Sequence, residues 1–242
     1  MKPIPFITGV FLLANTSVFA QSENHIFEAT ANVAKNQFAS AFSWSRSHGI
    51  GSKQRFKVGY GLRLTSYFGT GQNYVTAPAK FTSGKESLAA LFSENIAANF
   101  DTLTLPRAQV NSLNAAIYLS YTAFSGKLDI GFNIDAIGFS FGAERRGSFL
   151  SGGNTGIQAA KPTAFNVLLI SDSDRGSLNS ELNVRYWIHP KWAIRAGYQF
   201  LFTEYTTNQA VQAVAGFSDT NSRFRNKSSM VLVGIAYAPF RN

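Results

Sequence analysis

The stretch RFKVGYGLRLTSYFG, residues 55–69, alternates between apolar and polar side chains almost without interruption. Its apolar members are Phe56, Val58, Tyr60, Leu62, Leu64 and Phe68, and the residues between them include Lys57 and Arg63. Successive side chains of a strand point to opposite faces, so this pattern predicts a strand with one apolar face and one charged, glycine-rich face. Most strands of globular proteins have about five or six residues, and this one is much longer. Such a strand separates an apolar environment from a polar one.

Composition favours strands over helices as the elements that carry the apolar surface. Of the 242 residues, 22 are Phe and 9 are Tyr, yet the mean hydropathy is only -0.03. A helix that crosses a membrane needs about 20 consecutive apolar residues, and no such window follows residue 20. The apolar residues alternate instead with Gly, Ser, Asn and Thr, which is typical of strands.

The charge balance is basic, with a formal net charge of +9. The basic residues are scattered and have no base-stacking or groove-reading elements beside them, so nucleic acid is not predicted as a partner. Contact with anionic lipid head groups fits this distribution better. The chain has no cysteine, which excludes disulfides and thiolate metal sites.

The first 20 residues, MKPIPFITGVFLLANTSVFA, predict a cleaved secretory signal peptide. They combine one positive charge, a short apolar run and a small-residue end, with Val18 and Ala20 at the −3 and −1 positions of the cleavage site. The alternative is a retained anchor helix, for which the apolar run is short. We therefore expect a single mature domain of residues 21–242.

Eight segments of the mature chain show the alternation expected of strands. They lie at about 25–33, 37–47, 55–69, 110–124, 128–143, 179–189, 192–206 and 228–240. In the fifth segment the apolar face changes phase at Ala136 and Ile137. A one-residue shift exchanges the two faces of a strand, so this position predicts a β-bulge.

The connections between these strands differ in length at the two ends. Turns at 48–53, 125–127 and 189–191 are short, whereas the segments at 70–109, 144–178 and 207–227 are long. Short periplasmic turns and long external loops are typical of outer-membrane barrels. The predicted fold is an all-β, eight-stranded antiparallel up-and-down transmembrane barrel. The alternative is a soluble calycin-like barrel, whose apolar face would point inward around a ligand.

Several stretches resemble the uncharacterised outer-membrane β-barrel proteins of the Bacteroidetes type. They are HGIGSKQRFKVGYGLRLTSYFG, YVTAPAKFTSG, QVNSLNAAIYLSYTAFSGKLDIGFNIDAIGFSFG and HPKWAIRAGYQFLF, which cover most of the chain except the loops. More broadly the chain is similar to the small OmpA/OmpX-type barrels with eight strands. The resemblance implies this fold and a location in the cell outer membrane, and it implies no activity.

The polar face of the strands supplies the candidate site. An eight-stranded barrel has an interior just wide enough for side chains, so buried charges there must pair or hydrogen-bond. We predict a polar network in the lumen that joins Asp135 and Glu181 with Arg63, Arg185 and Arg195. The tilt and shear of the strands leave the individual pairs unassigned, and Gly59 and Gly61 are expected to leave room for neighbouring side chains. The network acts either as a structural plug or as a gate. Its full predicted membership is Glu28, Lys57, Arg63, Asp135, Glu181, Arg185, Arg195 and Gln199.

No catalytic, cofactor-binding or metal site is predicted. The histidines His25, His48 and His189 lie near the predicted periplasmic ends without a matching serine and aspartate, so a nucleophile–base pair is not indicated. A metal held by these three histidines is the alternative. Asp172 and Asp174 have the spacing of oxygen ligands but lack the rest of a calcium loop.

The functional hypothesis is a non-enzymatic barrel with a plugged lumen that acts through its surface loops. Adhesion, envelope integrity and partner binding are the roles considered. The partners expected are outer-membrane lipid including lipopolysaccharide, the barrel assembly machinery and an extracellular partner at the loops. The second long loop is notably apolar, in FNVLLIS at 165–171, and could extend a strand or dock a partner. The alternatives are a narrow channel for ions or small solutes, and a lipid-modifying enzyme.

Overall fold

A computed structural model of the chain describes residues 24–83, 94, 96–151, 154–169, 174–209, 212–213 and 220–241. The predicted signal peptide lies outside the described residues. So do Ile170, Asp172 and residues 84–93 of the predicted long loop 70–109. None of the helices within these ranges is long and apolar enough to cross a membrane.

Thirteen strands are present in the described ranges, and eight long ones dominate the fold. The long strands are β1 (Asn24–Ala34), β2 (Gln37–Ile50), β3 (Phe56–Thr76), β4 (Thr102–Ala123), β5 (Leu128–Phe141), β9 (Leu178–His189), β10 (Trp192–Thr207) and β13 (Arg223–Tyr237). The short ones are β6 (Arg145–Ser151), β7 (Asn154–Pro162), β8 (Phe165–Val167), β11 (Gln212–Ala213) and β12 (Thr220–Asn221). The single α-helix of the described residues is α1 (Ala79–Ser83).

The eight long strands form a closed antiparallel ring. Each pairs with its chain neighbour among the eight, and β13 pairs back onto β1, from Phe27 opposite Tyr237 to Val33 opposite Val231. Closure removes the free sheet edge, so every one of these strands has a partner on both sides. We call this the lower ring, its lower end being the one that carries the turns at 124–127 and 190–191. All eight predicted strands are therefore confirmed.

A second closed ring stands above the first and uses six strands. The first hairpin stops at its turn, so the upper part of β3 pairs directly with β13, with Thr76 opposite Phe224. On the other side the hairpin β6–β7 pairs with β4 at residues 102–104 and with β10 at residues 205–207. The order is β3–β4–β6–β7–β10–β13 and back to β3. We call this the upper ring.

The predicted boundaries of the long loops were wrong at this end. The strand β3 continues past residue 69 to Thr76, β4 begins at Thr102, and β13 begins at Arg223. Gly71, with φ of +62°, and Pro106 lie between the paired residues Thr70 and Arg107 on one side and Gln72 and Leu105 on the other. In a sequence, glycine and proline are signals of a loop, which is why the strands were predicted to end earlier. The segment 144–178 likewise contains β6, β7 and β8.

The predicted bulge in β5 is confirmed, and the pairing of β5 changes from β9 to β8 close to it. Ala115 pairs with Ile137 and Ala116 with Asp135, so Ala136 is the extra residue. Pairing between β5 and β9 ends at Ile134 opposite Ser180, and β8 pairs with β5 above that point. Residues Phe165–Val167 of the apolar stretch thus form a short strand within the wall.

Candidate functional site

The outward face of the lower ring is apolar. Leu62, for example, is 50% exposed, although it lies in the middle of a long strand. Large exposed side chains of this kind occur on all eight strands of the ring. They include Phe27, Val33, Phe38, Phe42, Tyr60, Leu64, Leu113, Ile117, Ile130, Phe132, Leu182, Val184, Ile194, Tyr198, Val231 and Val233. Water does not favour so large a contiguous apolar surface, which marks a contact with lipid or protein.

The inward face of the lower ring holds an ion-pair network, and Glu28 joins two of its arginines. Arg185 lies 2.5 Å from Oε1 of Glu28, and Arg195 lies 3.2 Å from Oε2. Arg185 and Arg195 are directly opposed on β9 and β10, so the carboxylate offsets their mutual repulsion. Arg185 also contacts Asp129 at 3.3 Å, and the indole of Trp187 donates to the same carboxylate at 2.8 Å.

The second half of the network is centred on Glu181 and Arg63. Glu181 Oε2 lies 2.5 Å from Arg195 and 3.7 Å from Arg63, so it links the two halves. Arg63 also contacts Asp135 at 3.2 Å, and it donates to Asn133, which in turn donates to Glu181. The side chains of Arg63 and Asp135 are 2% and 0% exposed. Charges so deeply buried are stable only with such partners.

Asp135 also accepts hydrogen bonds where the pairing between β5 and β9 is interrupted. Its Oδ2 accepts hydrogen bonds from the side chain of Asn114 at 2.7 Å and from the backbone N–H of Asn179 at 3.0 Å. Asn166 continues this pattern, because it accepts from Ser140 and from the backbone of Ser177. Side chains therefore satisfy backbone groups where the strand ladder is interrupted, so these buried groups are not left without hydrogen bonds.

The structure brings six of the eight predicted members together: Glu28, Arg63, Asp135, Glu181, Arg185 and Arg195. The sequence leaves the individual pairs unassigned, and the structure supplies them. Arg63 contacts Asp135 and Glu181, Arg195 contacts Glu28 and Glu181, and Arg185 contacts Glu28. Arg185 also contacts Asp129, which is directly opposite it in the register and is not among the predicted members, although it lies on the polar side of its strand.

Lys57 and Gln199 are the other two predicted members. Lys57 is half-buried and forms no ion pair within the described residues, although it is attracted electrostatically by Asp129. Gln199 is fully buried, and neither of its amide atoms has a hydrogen-bond partner in the part of the chain that is described.

Gly59 and Gly61 were predicted to leave room for side chains, and that reason was wrong. A Cβ at Gly61 would lie 2.1 Å from the backbone oxygen of Trp44, and one at Gly59 would lie 2.4 Å from that of Arg46. These glycines thus allow close approach of the β2 backbone rather than room for side chains.

Packed side chains leave little open space inside the lower ring. A cavity between Tyr118, Asn133 and Arg185 has a volume of about 20 Å³, room for roughly one water molecule. Above it the interior becomes apolar. A core in the upper ring contains Tyr67, Tyr74, Leu103, Leu105, Phe149, Leu201, Tyr205, Phe224 and Met230.

The upper ring also holds an ion cluster of its own. Glu204 is buried and accepts hydrogen bonds from Arg223 at 2.8 Å and from Arg225 at 2.9 Å. Burial alone raises the pKa of Glu204, but the hydrogen bond from Arg223 and the charge of Arg225 outweigh it, so its pKa lies below the ordinary 4.5. Both arginines also donate to the backbone oxygen of Asp174.

Arg241 closes the lower end, a role that sequence reasoning missed. It donates to the backbone oxygen of Pro190 at 3.0 Å and to that of Gly126 at 2.5 Å, which joins two turns. Its guanidinium lies 3.9 Å from the ring centroid of Trp187.

The histidines do not assemble into a shared site. Nδ1 of His25 accepts from the indole of Trp44 at 3.1 Å, and Nδ1 of His189 accepts from the backbone of Lys191 at 3.2 Å. Across the described ranges, no three His, Cys, Asp or Glu side chains are placed to hold a metal ion.

Comparisons with known proteins return structures only. No protein-family model matches the sequence, and a search of curated proteins gives no match. The chain is similar to Neisserial surface protein A, with a TM-score of 0.35, 9% identity, and coverage of 89% of this chain and 95% of that one. It is also similar to Ail, the attachment invasion locus protein of Yersinia pestis, with a TM-score of 0.34, 10% identity, and coverage of 90% of this chain and 98% of that one. The similarity to the toluene transporter TbuX of Ralstonia pickettii has a TM-score of 0.24 and 10% identity, and it covers 84% of this chain and 68% of that one. With TM-scores below 0.5, these similarities carry no argument about this chain.

Proposed function

We propose that the protein is an outer-membrane β-barrel that is closed to solutes and acts without catalysis through its upper ring and loops. The observation that carries the proposal is the reversal of polarity in the lower ring. Its outward face is apolar, while its inward face buries Glu28, Arg63, Asp135, Glu181, Arg185 and Arg195. A soluble barrel has the opposite arrangement. Closed rings also satisfy backbone hydrogen bonding in hydrocarbon, which an open sheet cannot do.

The lumen is proposed to be a plug because both rings are filled. Ion pairs fill the lower one, and the aromatic core around Tyr74, Tyr205 and Phe224 fills the upper one. The test is electrical. The refolded mature chain, inserted into a planar lipid bilayer, should add no stable conductance steps. Large, stable steps from inserted protein would overturn the plug.

A narrow ion path is the second candidate, and one observation favours it. Gln199, Asn179, Asn183, Thr30 and Thr65 carry buried polar atoms without a partner in the described chain. Such atoms are usually hydrated, and a file of waters can conduct small ions. Small conductance steps that disappear in Gln199→Leu would support this candidate over the plug.

The biological role is proposed to lie in adhesion, envelope integrity or partner binding. Leu150 and Ile157 of the hairpin β6–β7 are 48% and 75% exposed, and exposed apolar side chains above a membrane suit contact with a partner. Adherence of cells that display the native chain, compared with cells that display Leu150→Ser with Ile157→Ser, tests this role at equal surface abundance. Equal adherence would remove the hairpin from it.

Two finer predictions remain part of this proposal. Membership of the Bacteroidetes type rests on sequence resemblance. Removal of residues 1–20 by signal peptidase rests on their positive charge, short apolar run and small-residue end. A lipid-modifying activity is the remaining alternative. It would be supported by altered lipid composition in a deletion strain that a catalytically inert barrel would not produce.

A further inference from the structure

A groove lies on the outer wall where the first hairpin stops. The turn of β1 and β2 at Lys35 and Asn36 ends there, while β3 and β4 continue into the upper ring. The resulting notch has a volume of about 490 Å³, and its lining includes Asn36, Phe38, Phe68, Arg107, Gln109 and Arg145. We call it the rim groove.

The rim groove is at the level where the outward face changes character. On β3 the exposed residues change from Leu62, Leu64 and Phe68 to Thr70. On β4 they change from Leu113 to Arg107. Under the proposed function this level is the boundary between hydrocarbon and lipid head groups.

Two arginines without acidic partners give the groove its charge. Arg107 is exposed and takes part in none of the ion pairs of the described residues. Arg145 donates a hydrogen bond to the side chain of Gln109 at 2.9 Å and also interacts with the hydroxyl of Tyr205, while its Nε is buried with no partner in the described chain. None of the described residues that line the groove is acidic. The neighbouring Glu144 instead pairs with Lys161 at 3.7 Å.

The lower margin of the groove is aromatic. Phe38 and Phe68 are directly opposed on β2 and β3, and their stacked rings have centroids 6.4 Å apart. Both are about two-fifths exposed, at 42% and 43%. Two guanidinium groups without a carboxylate partner, next to two exposed aromatic rings, match a molecule with an anionic head and an apolar tail.

We propose that the rim groove binds the phosphorylated head group of a lipid in the surrounding leaflet. Arg107 and Arg145 receive the phosphate, because guanidinium forms strong, bidentate hydrogen bonds to phosphate oxygens. The acyl chains continue downward over Phe38 and Phe68. The inference rests on the proposed membrane location of the lower ring.

Native mass spectrometry of the refolded mature chain tests the proposal with two lipids of matched chains, dioleoylphosphatidic acid and dioleoylphosphatidylcholine. The native chain should retain phosphatidic acid preferentially. Arg107→Gln combined with Arg145→Gln should weaken that binding by about tenfold, the loss expected from removing charge-assisted hydrogen bonds. Arg146→Gln is the matched control: Arg146 is exposed on the same strand as Arg145 and is not part of the groove lining, so binding should not change.

A second arm identifies the source of the anion. Inorganic phosphate and a sulfated oligosaccharide should fail to displace the lipid, and Phe38→Ser with Phe68→Ser should weaken lipid binding. Displacement by either soluble anion, or binding that depends on the arginines and not on the phenylalanines, would overturn the lipid in favour of a soluble polyanion. Unchanged lipid binding in the double arginine variant, or an equal loss in Arg146→Gln, would overturn the groove itself.

Protection of the lower ring from protease in liposomes is measured in parallel for every variant. If the lower ring is protected and the arginine changes leave lipid binding unchanged, the groove is refuted and the membrane location is not. If the lower ring is not protected in any variant, the membrane location on which the groove depends is refuted.

Discussion

The two rings of this protein are built from shared strands, but their interiors differ. In the lower ring Leu62 and its neighbours point outward, while the ion-pair network around Arg63 and Asp135 is buried inside. In the upper ring the aromatic side chains of Tyr74, Tyr205 and Phe224 are buried inside, beside the smaller ion cluster of Glu204. The same strands β3, β4, β10 and β13 pass through both. A strand therefore changes the environment of its two faces along its length, and the level of that change locates the proposed membrane boundary.

The comparison predicts that the largest loss of stability follows from breaking the lower network. Arg63→Met removes the cation that Asp135 and Glu181 share, and it leaves Asp135 without an ion-pair partner. Breaking a buried pair from one side costs about 3–5 kcal/mol. Urea-induced unfolding of the chain in lipid vesicles measures the free energy of unfolding. Arg55→Met, at an exposed position below the ring, is the control and should change it little. Equal effects would mean that the network is hydrated and weak.

The second largest difference in stability is expected when an outward-facing residue of each ring is replaced by arginine. Leu62→Arg puts a charge on the proposed lipid face and should cost about 2–4 kcal/mol, the range for a charge near the bilayer midplane. Ile157→Arg changes an even more exposed aliphatic residue of the upper ring and should stay within about 0.5 kcal/mol. The same unfolding measurement compares them. A similar cost at both positions would contradict a lipid boundary between the rings.

Acid should loosen the upper ring by a smaller amount. The pKa of Glu204 is lowered in the folded chain by Arg223 and Arg225 despite its burial. A carboxyl with a depressed folded pKa stabilises the fold above its unfolded pKa, and this contribution disappears as pH falls through the folded value. Hydrogen exchange at residues 203–207, expressed relative to the intrinsic rate of an unstructured chain at the same pH, should thus accelerate below about pH 4.5. Protonation neutralises one partner rather than stranding a bare carboxylate, so the effect should be smaller than that of Arg63→Met.

Glu204→Gln provides the check on this pH dependence. It removes the titrating group, so exchange at these residues, relative to the intrinsic rate at each pH, should be fast already at neutral pH and nearly independent of pH. If the variant keeps the acid-induced acceleration of the native chain, another group is responsible.

The lower ring could be predicted from the sequence and the upper ring could not, for physical reasons. Period-two alternation is strong where lipid and lumen demand opposite side chains, so even the bulge at Ala136 could be predicted. Pairing partners were harder: Arg185 meets Glu28 across the lumen only because of strand tilt, which alternation does not encode. The upper ring was hidden because Gly71 and Pro106 face each other at its base, and together they resemble a loop.

The most direct test of the account measures the environment of two exposed aliphatic positions. The chain contains no cysteine, so Leu64→Cys and Ile157→Cys each offer one site for a nitroxide spin label. In lipid vesicles, we expect the label at 64 to collide with dissolved oxygen and to be shielded from a water-soluble nickel complex. The label at 157 should show the reverse. If both labels were equally accessible to the nickel complex, the lower ring would stand in water and the membrane-embedded account would be wrong.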